Sequence, residues 1–398
     1  MMRDNSTKRI SDRIDWTLFL LLLLLSIFSI ASIYSAQMAM PDKQNFAFKQ
    51  GIVLLGSTCI IFVMMLFEPE QYEKMTWYLY GFSLFVLLAL LLAPDSVAPV
   101  IKGQQSWFVL PGLGTLQPSE FAKITYIMAM SLILKRHKDV HISRSHKTDL
   151  WLIGKLSLCT MAPLSLIMQQ PDFGTSLVFI AMLCGYILVS SIPWHWIFLV
   201  FGSGGAIAGG AIYIALSKPE WLEAVGVERY ALGRLYSWLS PQEYASGDGL
   251  QLIRSMMAIG SGQMDGKAYG ERDVYIPESH TDFIFSVIAE QFGFIGASFL
   301  IGIFFLLLYH LTQIAITTRR AYDSYICIGM ISMLSFHIFQ NIGMTMQLLP
   351  ITGIPLPFIS YGGSSLLSNM ILIGLVFSIR FYEKEFMFES DRTDVRLM

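Results

Sequence analysis

The sequence predicts an all-α fold: a polytopic integral membrane protein of about ten transmembrane helices, with one long structured extracellular loop and a re-entrant segment before the last helix. Three observations lead there. Of 398 residues, 54% are hydrophobic and 14% charged, where about 25% charged is usual for a soluble globular chain. Mean hydropathy is +0.55, and so few charges cannot cover the surface of a soluble enzyme of this length. The apolar residues gather in runs about 20 long, the length needed to cross ~30 Å of hydrocarbon. Finally, Lys and Arg segregate to one side of those runs. Placing the N-terminus inside puts sixteen in the short cytoplasmic segments and only Lys43, Lys49 and Lys102 in the short external ones, so both termini are expected in the cytoplasm.

Residues 1–15 are expected to form a cytoplasmic N-terminal tail carrying Arg3, Lys8, Arg9 and Arg13. Transmembrane helices 1–7 fill 16–216, near 16–36, 45–67, 76–94, 118–135, 151–169, 173–192 and 194–216. The first run resembles a signal peptide only superficially. It stays apolar for about 20 residues, longer than the ~7–15 of a signal-peptide core, so a retained span is expected. The fourth opens on Pro118, which suits a first helical turn because its missing N–H is no loss there. The seventh is crowded with Gly202, Gly204, Gly205, Gly209 and Gly210, which predicts close helix packing. No strand precedes them, so they are no phosphate loop.

Residues 217–281 form the long extracellular loop, marked as structured and outside the bilayer by Pro219, Pro241, Gly247, Gly249, Gly260 and Gly262. Helices 8–10 and the re-entrant segment occupy 282–382, with spans near 282–309, 323–346 and 359–382, and 383–398 is a cytoplasmic C-terminal tail. The cysteines, Cys59, Cys159, Cys184 and Cys327, fall in apolar runs without CxxC spacing and read as packing residues. Net charge is −2, so no basic field argues for nucleic acid.

Four polar clusters interrupt the apolar pattern, and ionisable groups at membrane depth mark function or internal pairing. Gln117-Pro-Ser-Glu-Phe-Ala-Lys123 places Glu120 and Lys123 three apart on one helix face. They can form an ion pair locking two helices, or line a polar cavity open to the outer leaflet. In Gln169-Gln-Pro-Asp-Phe-Gly-Thr175, Asp172 follows Pro171 near the outer interface, and a polar hairpin turn accounts for it adequately. Glu278, His280 and Asp282 crowd into five residues where the long loop enters span eight. Ser279, Thr281 or Asp282 can simply cap that helix, but a partly desolvated carboxylate there is also a better general base. Deeper in the same span, Glu290 is expected to point into the bundle against a polar partner. From Pro350 onward, three prolines and three glycines in 16 residues forbid a continuous helix in a stretch too apolar for an ordinary loop. Such backbone is tolerated only inside protein or along a wet cavity, hence a re-entrant, substrate-facing segment. Trp107, in the loop 95–117, taken alone is an interfacial anchor. The seven histidines show no metal-ligand spacing.

In this order and spacing, these clusters resemble the SEDS family (shape, elongation, division and sporulation), its RodA branch more closely than its FtsW branch. The matching residues are Lys102-Gly103 with Trp107, Gln117–Lys123, Pro171–Thr175, Ala258–Gly262, His280–Phe285 and Pro350–Ser365, spread over roughly residues 16 to 382. Two departures are visible, Gln291 in place of a frequent Glu and Gln347 in place of a common Gly.

The resemblance implies a peptidoglycan glycosyltransferase that polymerises lipid II into β-1,4 glycan strands at the outer face of the bacterial cytoplasmic membrane, for cell elongation and shape. It implies a class B penicillin-binding protein (a transpeptidase) as partner, along with other elongation or division machinery. The family's essential external aspartate falls on Asp282, its important tryptophan on Trp107, and its buried Glu and Lys on Glu120 and Lys123. Lys102, Asp172, His280, Ser360 and Ser364 lie in the matching motifs and join these as expected substrate contacts. An α-linked sugar pyrophosphate becoming a β-linked glycan inverts the donor carbon once, so one displacement and one base suffice. Pyrophosphate leaves without the acid a glycosidase needs. Lys123 or a divalent cation, Mg2+ or Mn2+, is expected to neutralise it; no metal-ligating residue is assigned.

Two other readings compete. A flippase of lipid-linked precursor also shows broken helices and intramembrane charge, but here the ionisable groups gather at the outer surface and no inverted halves are apparent. A scaffold for a transpeptidase predicts that Asp282 and Trp107 are dispensable.

Overall fold

The computed structural model describes residues 13–40, 44–101, 103–110, 114–141, 145–218, 221, 229–244 and 247–394. Among the described residues the chain is all-α apart from one small hairpin. Helices α1 (Trp16–Met38), α2 (Phe46–Met64) and α3 (Pro69–Leu91) come first. Strands β1 (Phe108–Leu110) and β2 (Gly114–Leu116) then pair antiparallel, Phe108 opposite Leu116. Next come α4 (Pro118–Val140), α5 (His146–Met168), α6 (Phe173–Val189) and α7 (Trp194–Ser217). Among the described residues, the long loop contains the shorter helices α8 (Arg229–Leu239) and α9 (Asp248–Ser261). The bundle closes with α10 (Ile284–Thr317), α11 (Ala321–Thr345) and α12 (Gly363–Asp394).

Local chemistry sets the helix starts. Asp15 accepts the Leu18 N–H at 3.1 Å, Asn45 accepts that of Phe48 at 3.1 Å, and Asp172 accepts that of Thr175 at 3.0 Å, each satisfying an orphan first-turn donor. Pro118 occupies the first turn of α4 as expected. Among the described residues, eight helices are long and apolar enough to cross a membrane: α1, α2, α3, α5, α7, α10, α11 and α12. Helix α6 is apolar but has 17 residues. Helix α4 lies against α3, α5, α6, α11 and α12. Its neighbours are protein on nearly every side, so it tolerates Glu120 and Lys123 where a lipid-facing helix would not.

Three expectations are corrected. The eighth span does not begin at Asp282: residues 277–283 are a turn, and α10 starts at Ile284 and runs to Thr317. Its axis is interrupted at Gly293 (φ 62°, ψ −163°), a conformation open to glycine alone. The last helix begins at Gly363 rather than near 359, because the non-helical segment extends that far. Close packing on the glycines of α7 is not found, since a Cβ built at Gly202, Gly204, Gly205, Gly209 or Gly210 meets no atom within 4 Å. Only Ile197 and Ala215 of that helix are buried.

The hydrophobic core sits where α4, α6, α10, α11 and α12 meet, with α2 packed on α12 and α1 on α10. The long loop is seated on this bundle rather than free of it. Helix α9 packs on α10, and the Trp238 Nε1–H of α8 donates to the Gln347 carbonyl at 3.0 Å while Gln347 Nε2 donates back to the Trp238 carbonyl at 3.1 Å.

Candidate functional site

The segment from Met346 to Gly362 is non-helical and organises the site. It leaves α11 and runs back alongside it, and several of its carbonyls find side-chain donors. Pro350 O accepts from Gln340 at 2.7 Å, Ile354 O from Asn341 at 2.9 Å, and Pro355 O lies 3.2 Å from His337 Nδ1. Further on, Ile359 O accepts from Ser29 at 2.8 Å and Ser360 O from Gln50 at 3.3 Å. Non-helical backbone inside a membrane bundle is tolerated where the protein supplies such partners.

Asp282 lies in the turn that faces this segment. None of Ser279, Thr281 or Asp282 caps α10; the cap position is Phe283, without a side-chain hydrogen bond. The turn is held through three consecutive carbonyls. His280 O accepts from the Tyr361 N–H at 2.8 Å, Thr281 O from Ser360 Oγ at 2.7 Å, and Asp282 O from Asn341 Nδ2 at 2.8 Å. The Asp282 carboxylate therefore carries no capping duty, and it remains half-buried. Arg234 of α8 reaches the same place and donates from Nη1 to the Thr352 carbonyl at 3.0 Å. A Cβ built on Gly353 would stand 3.4 Å from both Asp282 Oδ2 and Arg234 Nη2. A carboxylate and a guanidinium thus stand beside the same glycine.

The second group lies deeper. Lys123 Nζ is 2.9 Å from both carboxylate oxygens of Glu120 and 3.2 Å from His337 Nε2, and Ser368 Oγ donates to Glu120 at 3.0 Å. All four side chains are buried. Of the two alternatives expected here, the ion pair is formed, with Glu120 3% and Lys123 1% exposed.

Asp172 is saturated, accepting from Thr175 N–H, Thr175 Oγ1 at 2.8 Å and Gln117 Nε2 at 3.0 Å. It joins the turn before α6 to the start of α4. Ser364 Oγ accepts the Gln117 N–H at 3.0 Å and donates to the Thr115 carbonyl at 3.2 Å, tying the hairpin to α12. Ser360 Oγ also accepts the Leu356 N–H at 2.8 Å. The His280 ring packs 4.5 Å from Phe46 and 5.5 Å from Tyr361, centroid to centroid. Trp107 is half-buried just before β1 and is hydrogen-bonded to none of these groups among the described residues. Lys102 lies outside the described residues. Glu290 does find a polar partner, but from the long loop: Arg272 Nε at 3.1 Å and Lys267 Nζ at 3.1 Å. Burial pulls the Lys267 ammonium down, yet its bonds to Asp273 and Glu290 outweigh that and hold it above the usual lysine range.

Sequence reading missed Arg234, His337 and Asn341. The last two carried a signal, as polar residues inside an apolar run. Arg234 carried none, because nothing local distinguishes it from the other cations of the loop. No group of three or more His, Cys, Asp or Glu residues that could hold a metal ion occurs among the described residues.

Known proteins share this arrangement of helices. The family model FtsW/RodA/SpoVE, described as cell cycle protein, matches residues 12–385. The chain is 31% identical to stage V sporulation protein E of Bacillus subtilis over 388 residues, covering 95% of this chain and all of that one. It is 31% identical to peptidoglycan glycosyltransferase MrdB of Escherichia coli, over 96% and 98% of the two chains. Against the probable peptidoglycan glycosyltransferase FtsW of Coxiella burnetii it is 33% identical, over 89% and 92%. Among solved structures, it is similar to a chain of a peptidoglycan synthase complex described as coordinating polymerization and crosslinking, with TM-score 0.76 and 27% identity over 92% and 97% of the chains. It is likewise similar to the rod shape determining protein RodA of Thermus thermophilus, with TM-score 0.66 and 25% identity over 96% and 99%.

Proposed function

The chain belongs to the FtsW/RodA/SpoVE family and is a peptidoglycan glycosyltransferase, and from that premise we propose that Asp282 is its general base, acting on lipid II at the outer face of the cytoplasmic membrane. The carboxylate of Asp282 takes the proton of the acceptor hydroxyl. The freed oxygen forms its bond to the anomeric carbon of the donor sugar as the bond from that carbon to the pyrophosphate oxygen breaks. The electron pair leaves with the lipid pyrophosphate, and the configuration inverts once. Arg234 and Lys123 supply positive charge toward the departing phosphates.

The observation that carries this reading is the pairing across Gly353. A carboxylate without a capping role faces the same glycine as a guanidinium, so base and counter-charge are gathered beside one point of the backbone. Trp107, His280 and the serines Ser360 and Ser364 border that segment or the hairpin beside it and are assigned to the substrate region. Asp172, saturated by its own turn, acts by fixing the start of α4. Both termini lie in the cytoplasm, a reading supported by the segregation of Lys and Arg. A class B penicillin-binding protein is the expected partner, supported by the likeness to a complex named for polymerization and crosslinking. The relatives named for sporulation, for FtsW and for MrdB match at 31% to 33% identity, so identity does not single out a branch; the resemblance to RodA supports elongation.

The test is polymerisation of labelled lipid II by the purified protein, with and without its transpeptidase. Asp282→Asn is expected to lower the rate by about 10²–10⁴-fold, the usual contribution of a positioned base. Full polymerisation by a well-folded Asp282→Asn protein would rule the assignment out. A wild type that forms no glycan while its partner is active would favour the flippase.

A further inference from the structure

His337 and Asn341 stand four residues apart on α11, on one face and about 6 Å apart along the axis. Both are buried, and they grip consecutive residues of the non-helical segment: Asn341 the Ile354 carbonyl at 2.9 Å, His337 the Pro355 carbonyl at 3.2 Å. Each then reaches a second group. Asn341 Nδ2 donates to the Asp282 carbonyl at 2.8 Å, and His337 Nε2 lies 3.2 Å from Lys123 Nζ. The tautomer follows from the partners. A carbonyl can only accept, so Nδ1 carries the ring hydrogen, and Nε2 of the neutral ring is left to accept from the Lys123 ammonium. Glu120 and His337 together fix two directions of that ammonium.

We propose that His337 is a positioning residue for polymerisation, and that with Asn341 it forms a ruler on α11 that sets where the Lys123 ammonium stands relative to the Asp282 carboxylate. This rests on the reading of Lys123 as a cation for the departing phosphates. The two charged groups come from elements far apart in the chain, and the shared register of the Ile354 and Pro355 carbonyls on one helix face links their positions. A misplacement of about 1 Å at such a centre costs about 10²-fold in rate, so the ruler acts on kcat.

The experiment measures initial rates of lipid II polymerisation against lipid II concentration for His337→Gln, His337→Asn, His337→Leu and Lys123→Met. An amide offers one donor and one acceptor in a plane, as the neutral ring does. Gln has the length to span from Pro355 to Lys123, and Asn is one methylene shorter. The expected result is that Gln stays within about threefold of wild type, while Asn and Leu lose about 10²-fold in kcat with KM little changed. Mere satisfaction of buried polar groups would leave Gln and Asn alike, which would overturn the proposal. Should the Leu protein not fold, the Gln and Asn pair still decides. A slow Lys123→Met beside a His337→Asn of wild-type rate overturns the ruler alone, whereas a Lys123→Met of wild-type rate overturns the reading of Lys123 and the ruler with it.

Discussion

Arg272 Nε lies 3.1 Å from Glu290 Oε2, and both side chains are withdrawn from solvent, Arg272 1% exposed and Glu290 0%. The Glu290 carboxylate also accepts from Lys267 Nζ and from the backbone N–H groups of Asp273 at 3.0 Å and Val274 at 3.3 Å. The next residue repeats the pattern with an amide. Gln291 Nε2 donates to the Lys267 and Ala268 carbonyls, while its Oε1 accepts from the Gly270 N–H and Ser35 Oγ. Two successive side chains of α10 thereby staple the last stretch of the long loop to the helix that follows Asp282. A Gln at 291 suits this work, because it must donate to two carbonyls and a Glu carboxylate cannot.

Breaking a buried pair by removing one partner costs more than replacing both, because it strands the other charge. Glu290→Ala is therefore expected to destabilise the protein by about 3–5 kcal/mol. Glu290→Leu combined with Arg272→Leu should recover a large part of that loss. Thermal unfolding of the three detergent-solubilised proteins, followed by intrinsic fluorescence, checks it. A double variant no more stable than Glu290→Ala would show that the network is needed for more than charge balance.

Gly353→Ala tests the contact between the non-helical segment and Asp282. The glycine has φ +71°, which costs an L-residue about 1–2 kcal/mol, and the added methyl would stand in van der Waals contact with Asp282 Oδ2 and Arg234 Nη2 together. Relieving that strain by a shift of the backbone would move the segment against both charged groups. Polymerisation should fall by at least about tenfold while the unfolding temperature shifts by only a few degrees. Equal losses in both would mean that the glycine serves the fold and not the site.

The glycines of the chain divide sharply by environment. At Gly293 an added Cβ would stand 2.3 Å from the Gly266 nitrogen, a backbone contact that no rotamer change relieves. Gly293→Ala is expected to unseat the loop and lose activity and stability together. Gly205→Ala and Gly209→Ala in α7 meet open space, so within this chain they should be neutral or stabilising by up to about 1 kcal/mol each. The same unfolding measurement separates the two groups. A strong loss at Gly205 or Gly209 in the isolated protein would mean that α7 packs in a way the structure does not contain.

Much of this fold is legible in the sequence because the bilayer enforces it. A helix that must cross hydrocarbon declares its length and composition, so the apolar runs map onto the long helices to within several residues. The break at Gly293 is not legible, because a lone glycine in a span usually marks packing. Helices α8 and α9 stay hidden because the Gly, Pro and charge content of the long loop masks their apolar faces. For the site, Asp282, Glu120 and Lys123 announce themselves as charges where lipid should be. Arg234 does not, since its meaning comes from Thr352 and Gly353, more than a hundred residues away in the chain. Local pattern cannot encode a contact whose partners meet only when the bundle closes.

Arg234 supplies the last prediction. Its guanidinium does two things at once, holding the Thr352 carbonyl through Nη1 and facing the Gly353 side of Asp282 with Nη2. The planar fork makes both possible in one geometry, whereas an ammonium on a flexible stem offers charge without that shape. Arg234→Ala removes both and is expected to reduce kcat by about 10²-fold or more, as loss of one preorganised electrostatic contact commonly does. Arg234→Lys restores the charge but must choose between the carbonyl and the position beside Asp282, so it should recover only part of that loss and remain about tenfold below wild type. Initial polymerisation rates at saturating lipid II give the comparison. If Lys equals Arg, charge alone suffices and the fork has no role; if Lys is as poor as Ala, the hold on Thr352 outweighs the charge, and Arg234 acts by shaping the loop.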